Sequence, residues 1–215
     1  MAATLLPRER EDLAPDAVWM PDHLSLGDQR RLVGAWHEWR SGPAGARRLT
    51  MPNGATMSID TVSLGWHWSP YRYSRTVDGI TPVRELPRWL VCQARAALVA
   101  AWGEDAAADY RPDVALVNFY GPGSKLGLHR DADEGCDAPI VSFSVGDRGR
   151  FRFGNTETRG RPWRDVDLES GDVVVFGGAS RYAYHGVTRI FPGTATAETG
   201  LGTGRLNITL RTTGR

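Results

Sequence analysis

Residues 205–211 read Arg-Leu-Asn-Ile-Thr-Leu-Arg, RLNITLR. Strict alternation has the period of a β-strand, in which residues two apart share a face. Leu206, Ile208 and Leu210 then make one apolar face, and Arg205, Asn207, Thr209 and Arg211 make the other. The apolar face has to pack outward against a helix or sheet. That turns two guanidiniums, an amide and a hydroxyl toward the inside of a β-structure. Inward arginines are costly unless something anionic neutralises them, and a guanidinium is suited to bidentate carboxylate binding. The strand therefore predicts a β-core with a carboxylate-binding interior. The bland alternative is a surface strand with exposed arginines.

Working outward, the chain from about residue 112 is a series of short runs separated by Gly, Pro and Asp: DVALVNFY, KLGLHRD, PIVSFSVG, RFRFG, DVVVFGG and HGVTRI. Such spacing predicts an all-β sandwich or barrel. Upstream, Ser25 with Asp28 three residues on forms a capping-box variant, and Leu32, Val33, Trp36 and Trp39 recur at helical spacing, predicting a helix over about 26–40. Pro87 and Gly103 bracket a second helix with the stripe Leu90, Ala94, Leu98 and Ala101, where Trp89 and Trp102 read as core packing. Between the helices lies GATMSIDTVSLGWHWSPYRYSRTVDG, rich in aromatics and hydroxyls. The expected organisation is a loosely ordered terminus over 1–16 and a single domain over 17–215. Helices and a recognition lid occupy 17–111, and the β-core occupies 112–215.

The 215 residues are 41% hydrophobic and 24% charged, as in an ordinary globular chain. No apolar run approaches the ~20 residues of a membrane span, and MAATLLPREREDLAP lacks the pattern of a secretory leader. Cys92 and Cys136 show no metal-ligand spacing, which suggests a reducing, cytoplasmic setting. The net charge of +1 gives no global nucleic-acid signature, yet a local basic rim would suffice for backbone contacts.

The chemistry concentrates in GLHRDADE, residues 127–134. In a strand His129 and Asp131 would present an imidazole and a carboxylate on one face. A lone His-x-Asp is weak evidence for a metal. His185, in RYAYHGV after the strand DVVVFGG, supplies a third ligand. Two histidines and one carboxylate form the facial triad of non-haem Fe(II) oxygenases. The alternative for His185 is a half-buried histidine bonded to a carbonyl. Asn118 and Tyr120, two apart in VNFY, could bind the same ligand as the arginines.

With these residues in view, the chain resembles the AlkB-type Fe(II)/2-oxoglutarate dioxygenases over about residues 50–213. The matching stretches are TMS at 56–58, LGW at 64–66, VNFYGPGSKLGLHRDADE at 117–134, PIVSFSVG at 139–146, SGDVVVFGG at 170–178, YHGV at 184–187 and RLNITLR at 205–211. The resemblance implies a mainly β fold with flanking helices, a double-stranded β-helix (jelly-roll) core carrying an N-terminal nucleotide-recognition lid. It implies Fe(II) on His129, Asp131 and His185, and 2-oxoglutarate on Asn118, Tyr120, Arg205, Asn207 and Arg211, with the arginine-to-carboxylate assignment left open. Trp66 matches the residue that stacks on a flipped base. Tyr71, Tyr73, Asp133 and Arg159 match substrate contacts, with Arg161 as the alternative register for Arg159, and Phe176 falls at a wall position. The lid looks shorter than in relatives on both sides of Trp66.

The implied reaction consumes O2 and 2-oxoglutarate and releases succinate, CO2 and formaldehyde. It demethylates bases of the 1-methyladenine and 3-methylcytosine type in single-stranded or duplex DNA, or RNA, as a monomer in direct-reversal alkylation repair. Two alternatives stand beside it. One keeps the oxygenase chemistry but acts on RNA, tRNA, protein or a small molecule; the other is a non-catalytic β-barrel.

Overall fold

The structure, a computed structural model, describes residues 7–215. The expected helices form as α1, Leu26–Trp39, and α2, Arg88–Trp102. Ser25 and Asp28 complete a reciprocal capping box at the start of α1, satisfying amide groups that the first turn leaves free. Among the described residues, no helix is long and apolar enough to cross a membrane.

The strands are β1 Glu11–Ala14, β2 Ala17–Met20, β3 Asp60–Leu64, β4 His67–Ser69, β5 Arg72–Ser74, β6 Val114–Tyr120, β7 Leu126–His129, β8 Ile140–Gly146, β9 Arg148–Gly154, β10 Trp163–Leu168, β11 Val173–Phe176, β12 His185–Phe191 and β13 Arg205–Arg211. A seven-stranded major sheet runs β1-β2-β11-β8-β13-β6-β3, and a four-stranded minor sheet runs β10-β9-β12-β7. Strands β4 and β5 pair as a separate ribbon.

Two expectations about the front of the chain are corrected. Residues 11–14 form the edge strand β1, so the described part of the terminus is tied down. Arg8 reinforces it through Asp22 and the fully buried Asp172 at 2.8 Å; residues 1–6 lie outside the described residues. The boundary near 111 does not separate the β-core from the rest, because β1, β2 and β3 all belong to the major sheet.

The alternation in β13 works out as its pattern dictates. Leu206, Ile208 and Leu210 are fully buried in one cluster with Val141, Phe143 and Val145 of β8 and with Leu32, Trp36, Leu90 and Leu98 of the two helices. The helices thus cover the outer face of the major sheet. A second cluster, with Ile140, Phe176, Phe151, Phe153 and Val187, fills the space between the sheets. This is the two-layered jelly-roll arrangement.

Candidate active site

The site lies between the sheets at the meeting of β7, β12 and β13. Antiparallel register places His185 directly opposite His129, with their rings 4.6 Å apart. Gly186 makes this approach possible: a Cβ there would lie 2.6 Å from the Leu126 carbonyl oxygen. Each histidine bonds a carbonyl through Nδ1, His129 to Gly127 at 3.0 Å and His185 to Ala183 at 2.9 Å. With those Nδ1–H groups donating, both Nε2 lone pairs point inward. They lie 3.6 and 3.5 Å from the carboxylate oxygens of Asp131. Ligand atoms from His129, Asp131 and His185 all fall within 4.8 Å of one another.

One premise of the sequence reading needs correction. Strand β7 ends at His129, so Asp131 and Asp133 stand on the following loop, and no strand periodicity brings Asp131 round. Arg211 does, through an ion pair of 2.7 Å. Burial pushes the Asp131 carboxyl up, but Arg211 and the two histidines outweigh it and hold it well below the usual carboxylate range. Burial and the neighbouring His185 push His129 down to about 4. It is therefore neutral near pH 7, with no proton to displace on metal binding.

Behind the triad lies a buried network that the sequence did not disclose. Glu134 accepts from Tyr73 Oη at 2.5 Å, from Arg211 at 3.3 Å and from Arg181 at 3.1 Å. Arg181 also donates to the Asp131 carbonyl at 2.5 Å. Tyr73, expected on the substrate side, is 5% exposed and serves this network. Tyr73 packs in a cluster with Val114 and Leu116, and burial pushes its pKa strongly upward.

Two cavities flank the triad and share Asn118, Leu126, His129, Asp131 and Arg211. The inner one, of about 30 Å³, is lined by Tyr120, Arg205, Asn207 and Thr209 and walled by Phe176, edge-on to His185 at 5.0 Å. Ser142 and Ser144, alternating residues of β8, orient its polar wall. Asn207 donates to Ser142 Oγ at 2.7 Å and Arg205 to Ser144 Oγ at 2.7 Å. Asn118 accepts from Thr61 at 2.9 Å. Arg205 is 1% exposed. Its room comes from Gly149, where a Cβ would meet the guanidinium stem at 2.9 Å. Its Nε and Nη1 are buried without a partner.

These observations test the fit of the expected groups. Two imidazoles with inward Nε2 atoms and one carboxylate suit Fe(II) with open positions. Unpartnered guanidinium donors beside it suit a carboxylate. Both fit.

The outer cavity, of about 570 Å³, is lined by Tyr71, Asp133, Arg159, Tyr184, Met57 and Trp68, among others. Tyr71 is 70% exposed at the rim. Arg159 lines the cavity, while Arg161 lies over Trp163 instead. Trp66 is not where it was expected. Its Nε1 donates to Asp113 at 3.1 Å, Arg75 covers its ring at 3.6 Å, and it lines neither cavity. Trp68 stands in the cavity wall instead, and its Nε1 donates to Asp133 at 2.8 Å. The doubled aromatic in Trp66-His67-Trp68 was the available signal.

Comparison with known proteins agrees with this geometry. Residues 16–211 match the 2OG-Fe(II) oxygenase superfamily. The chain is 42% identical over 151 residues to the alpha-ketoglutarate-dependent dioxygenase AlkB of Escherichia coli, covering 66% of each. It is 36% identical to the AlkB homolog of Caulobacter vibrioides, covering 90% of this chain and 86% of that one. It is 33% identical to the DNA N(6)-methyladenine demethylase ALKBH1D of Arabidopsis thaliana across 93% of this chain, and spans about half (50%) of that relative's length. The solved structure of OsALKBH1 superposes with a TM-score of 0.85 at 32% identity, over 95% of this chain and 100% of that one. The chain thus belongs to the 2OG-Fe(II) oxygenase superfamily and, within it, to the AlkB-type dioxygenases, whose chemistry requires Fe(II), 2-oxoglutarate and O2.

Proposed function

We propose that the protein is an oxidative N-demethylase of nucleic acid that reverses alkylation of bases in DNA. The observation that carries this reading is the pair of cavities meeting at one triad, a small cationic one and a large aromatic one. His129, Asp131 and His185 would hold the metal through the two Nε2 atoms and a carboxylate oxygen. Arg205 and Arg211 stand at opposite ends of β13. Arg211, already beside Asp131, would take the 2-oxoglutarate carboxylate nearer the metal, and Arg205 the distal one. Asn118, Tyr120 and Asn207 would line the stem between them. Bound iron and 2-oxoglutarate supply the oxidising chemistry from O2, with succinate and CO2 released.

The chain's own contribution is to hold the base and exclude water. The base has to leave its stack to enter the outer cavity, where the Trp68 ring can cover it and Asp133 can accept from its amino edge. Arg159 and Tyr71 sit where the flanking backbone would pass. Hydroxylation of the N-methyl group would be followed by loss of formaldehyde from the base. The same reading has the enzyme acting on single-stranded or duplex DNA, or RNA, as a monomer in the cytoplasm, with residues 17–215 as one catalytic domain.

Two lesion classes are candidates. Cationic 1-methyladenine and 3-methylcytosine suit the Asp133 carboxylate. Neutral N6-methyladenine is named for the Arabidopsis relatives, whose similarity extends over nearly the whole chain. The test is anaerobic reconstitution with Fe(II), 2-oxoglutarate and oligonucleotides carrying each base, followed by O2. Succinate and restored base should appear in equal amounts for the true substrate. Succinate formation that no methylated nucleic acid stimulates would sink the proposal.

A further inference from the structure

The outer surface of the minor sheet, turned away from the inner cavity, carries a pattern that runs on from the rim of the outer cavity and extends beyond the residues assigned to the reaction. Along β9, Arg148, Arg150 and Arg152 are half-exposed, while Gly149, Phe151 and Phe153 are buried. Register places Arg189 opposite Arg150 and Phe191 opposite Arg148 on β12, and Asp167 opposite Arg150 and Asp165 opposite Arg152 on β10. Three aromatic rings on or beside this face each have at least two guanidiniums against them. Phe191 has Arg148 at 4.5 Å, Arg189 at 4.8 Å and Arg150 at 5.3 Å. Trp163 has Arg152 at 4.3 Å and Arg161 at 4.7 Å. Tyr184, in the wall of the outer cavity, has Arg130 at 4.9 Å and Arg159 at 5.8 Å.

Among the described residues, only Arg150 and Arg152 of these seven have a carboxylate partner, each a two-bond pair with Asp167 or Asp165. The five others form no ion pair, in a chain whose formal net charge is only +1. Their placement is not even. Arg130, Arg159 and Arg161 gather at the cavity end, where Trp163 pairs with Gly154, and Arg148 and Arg189 lie at the other end of the strand. The Nε of Arg148 is buried with no partner. Six residue steps along β9 carry the strip about 20 Å from Gly154 to Arg148 at its far end, with Arg189 opposite Arg150 on the way. A guanidinium lying on a ring is held in place and weakly hydrated, with its edge N–H groups free for an oxyanion. Rings and cations alternating along a strip suit a strand of nucleic acid.

We propose that this face is a track for the phosphate backbone of the strand flanking the target base, entering at Tyr184 and leaving past Phe191. The proposal rests on the reading that the substrate is nucleic acid. At a rise of about 3.4 Å per nucleotide, a strand needs roughly six nucleotides to reach from one group to the other. Binding should therefore depend on length.

The experiment measures fluorescence anisotropy of labelled, unmodified single strands of 4 and 16 nucleotides against salt concentration. It uses wild type and the Arg148→Gln/Arg189→Gln double variant, with matched thermal melts as the folding control. Each phosphate contact contributes about −0.7 to the log–log salt slope, or roughly fivefold in affinity at 0.1 M salt. For the 16-mer the variant should bind about 25-fold more weakly with a slope shallower by about 1.4, while the 4-mer shows the same affinity for both proteins. Should the double variant not fold, equal slopes for the 4-mer and 16-mer on wild type would overturn the track by themselves. A 16-mer whose affinity and slope are untouched in a folded variant also overturns it, leaving the demethylase reading in place. A wild type that binds neither strand overturns the track, and the succinate assay on methylated oligonucleotides decides the demethylase reading separately.

Discussion

Arg205→Met tests the co-substrate site by pushing two observables in opposite directions. In the ligand-free protein the guanidinium is 1% exposed, with one side-chain hydrogen bond, to Ser144, and with Nε and Nη1 unpartnered. Each unsatisfied buried donor costs about 1–3 kcal/mol, against about 1 kcal/mol for the bond that would be lost. Methionine fills a comparable space without charge. The ligand-free variant should therefore melt a few degrees higher, at about 2–4 °C per kcal/mol for a chain of this size. With Fe(II) under nitrogen, 2-oxoglutarate at a hundred times its Kd stabilises wild type by about 2.7 kcal/mol, or roughly 5–11 °C. Losing a charge-assisted pair weakens binding roughly ten- to a hundredfold. At the upper end the same concentration only equals the variant's Kd and stabilises it by about 0.4 kcal/mol, near 1 °C. Thermal melts with and without 2-oxoglutarate read both effects. A variant that keeps the full ligand-induced shift, or whose ligand-free melting point falls, would refute the assignment of Arg205 as the distal carboxylate's partner.

Three further outcomes are expected. Trp68→Ala removes the cavity wall and should raise KM for methylated oligonucleotides by roughly fivefold to over a hundredfold, the worth of one base–aromatic stack; Trp66→Ala should instead lower the melting temperature, and parallel kinetics and melts separate the two. Asp133→Asn should slow repair of cationic 3-methylcytosine by about 1–3 kcal/mol more than repair of neutral 3-methylthymine, and an equal loss in a direct competition would limit Asp133 to shaping the pocket. Burial, with help from Arg47, lowers the His67 pKa below its ordinary value of 6.5. As pH falls the unfolded chain is then protonated first, so this stability is complete above 6.5 and drains away on acidification. His67→Asn should flatten the loss in urea melts between about pH 7 and 5.

The parts of this fold that could be read from sequence are those whose pattern has one physical solution. RLNITLR cannot bury Leu206, Ile208 and Leu210 without turning Arg205 and Arg211 inward, and the structure buries all five. The capping box at Ser25 left the start of α1 no choice. What could not be read depends on register or on partners distant in the chain. Strand β1 is four residues long and contains Glu11 and Asp12, so it lacks the alternation that marks a strand. Trp66 and Trp68 are two apart and would share a face in any strand. The turn at Gly65, where a Cβ would sit 2.0 Å from the Asp113 carbonyl oxygen, sets which of them reaches the cavity. Glu134 and Arg181 carry no signal of burial in the sequence because each is dry only in the presence of the other, 47 positions away.

That buried network also bears on how the two expected ligands act together. Asp131 and Glu134 face Arg181 and Arg211, so the charges packed behind the triad cancel, and Arg205 alone is left over. A divalent metal bound alone would raise the positive charge of this dry region by two. A dianion bound alone would have only Arg205 to answer it. Bound as a pair they add no net charge, and each supplies the countercharge the other needs where water is scarce. Their affinities should accordingly be coupled, and by linkage the factor by which 2-oxoglutarate tightens Fe(II) must equal the factor by which Fe(II) tightens 2-oxoglutarate. The network has a second consequence through Tyr73. Its hydroxyl bonds the same Glu134 oxygen that faces Arg211, so the β4–β5 ribbon beside the outer cavity is tied to the residue that pairs with Asp131. Any displacement of that ribbon would therefore reach the metal end of the site through these two hydrogen bonds.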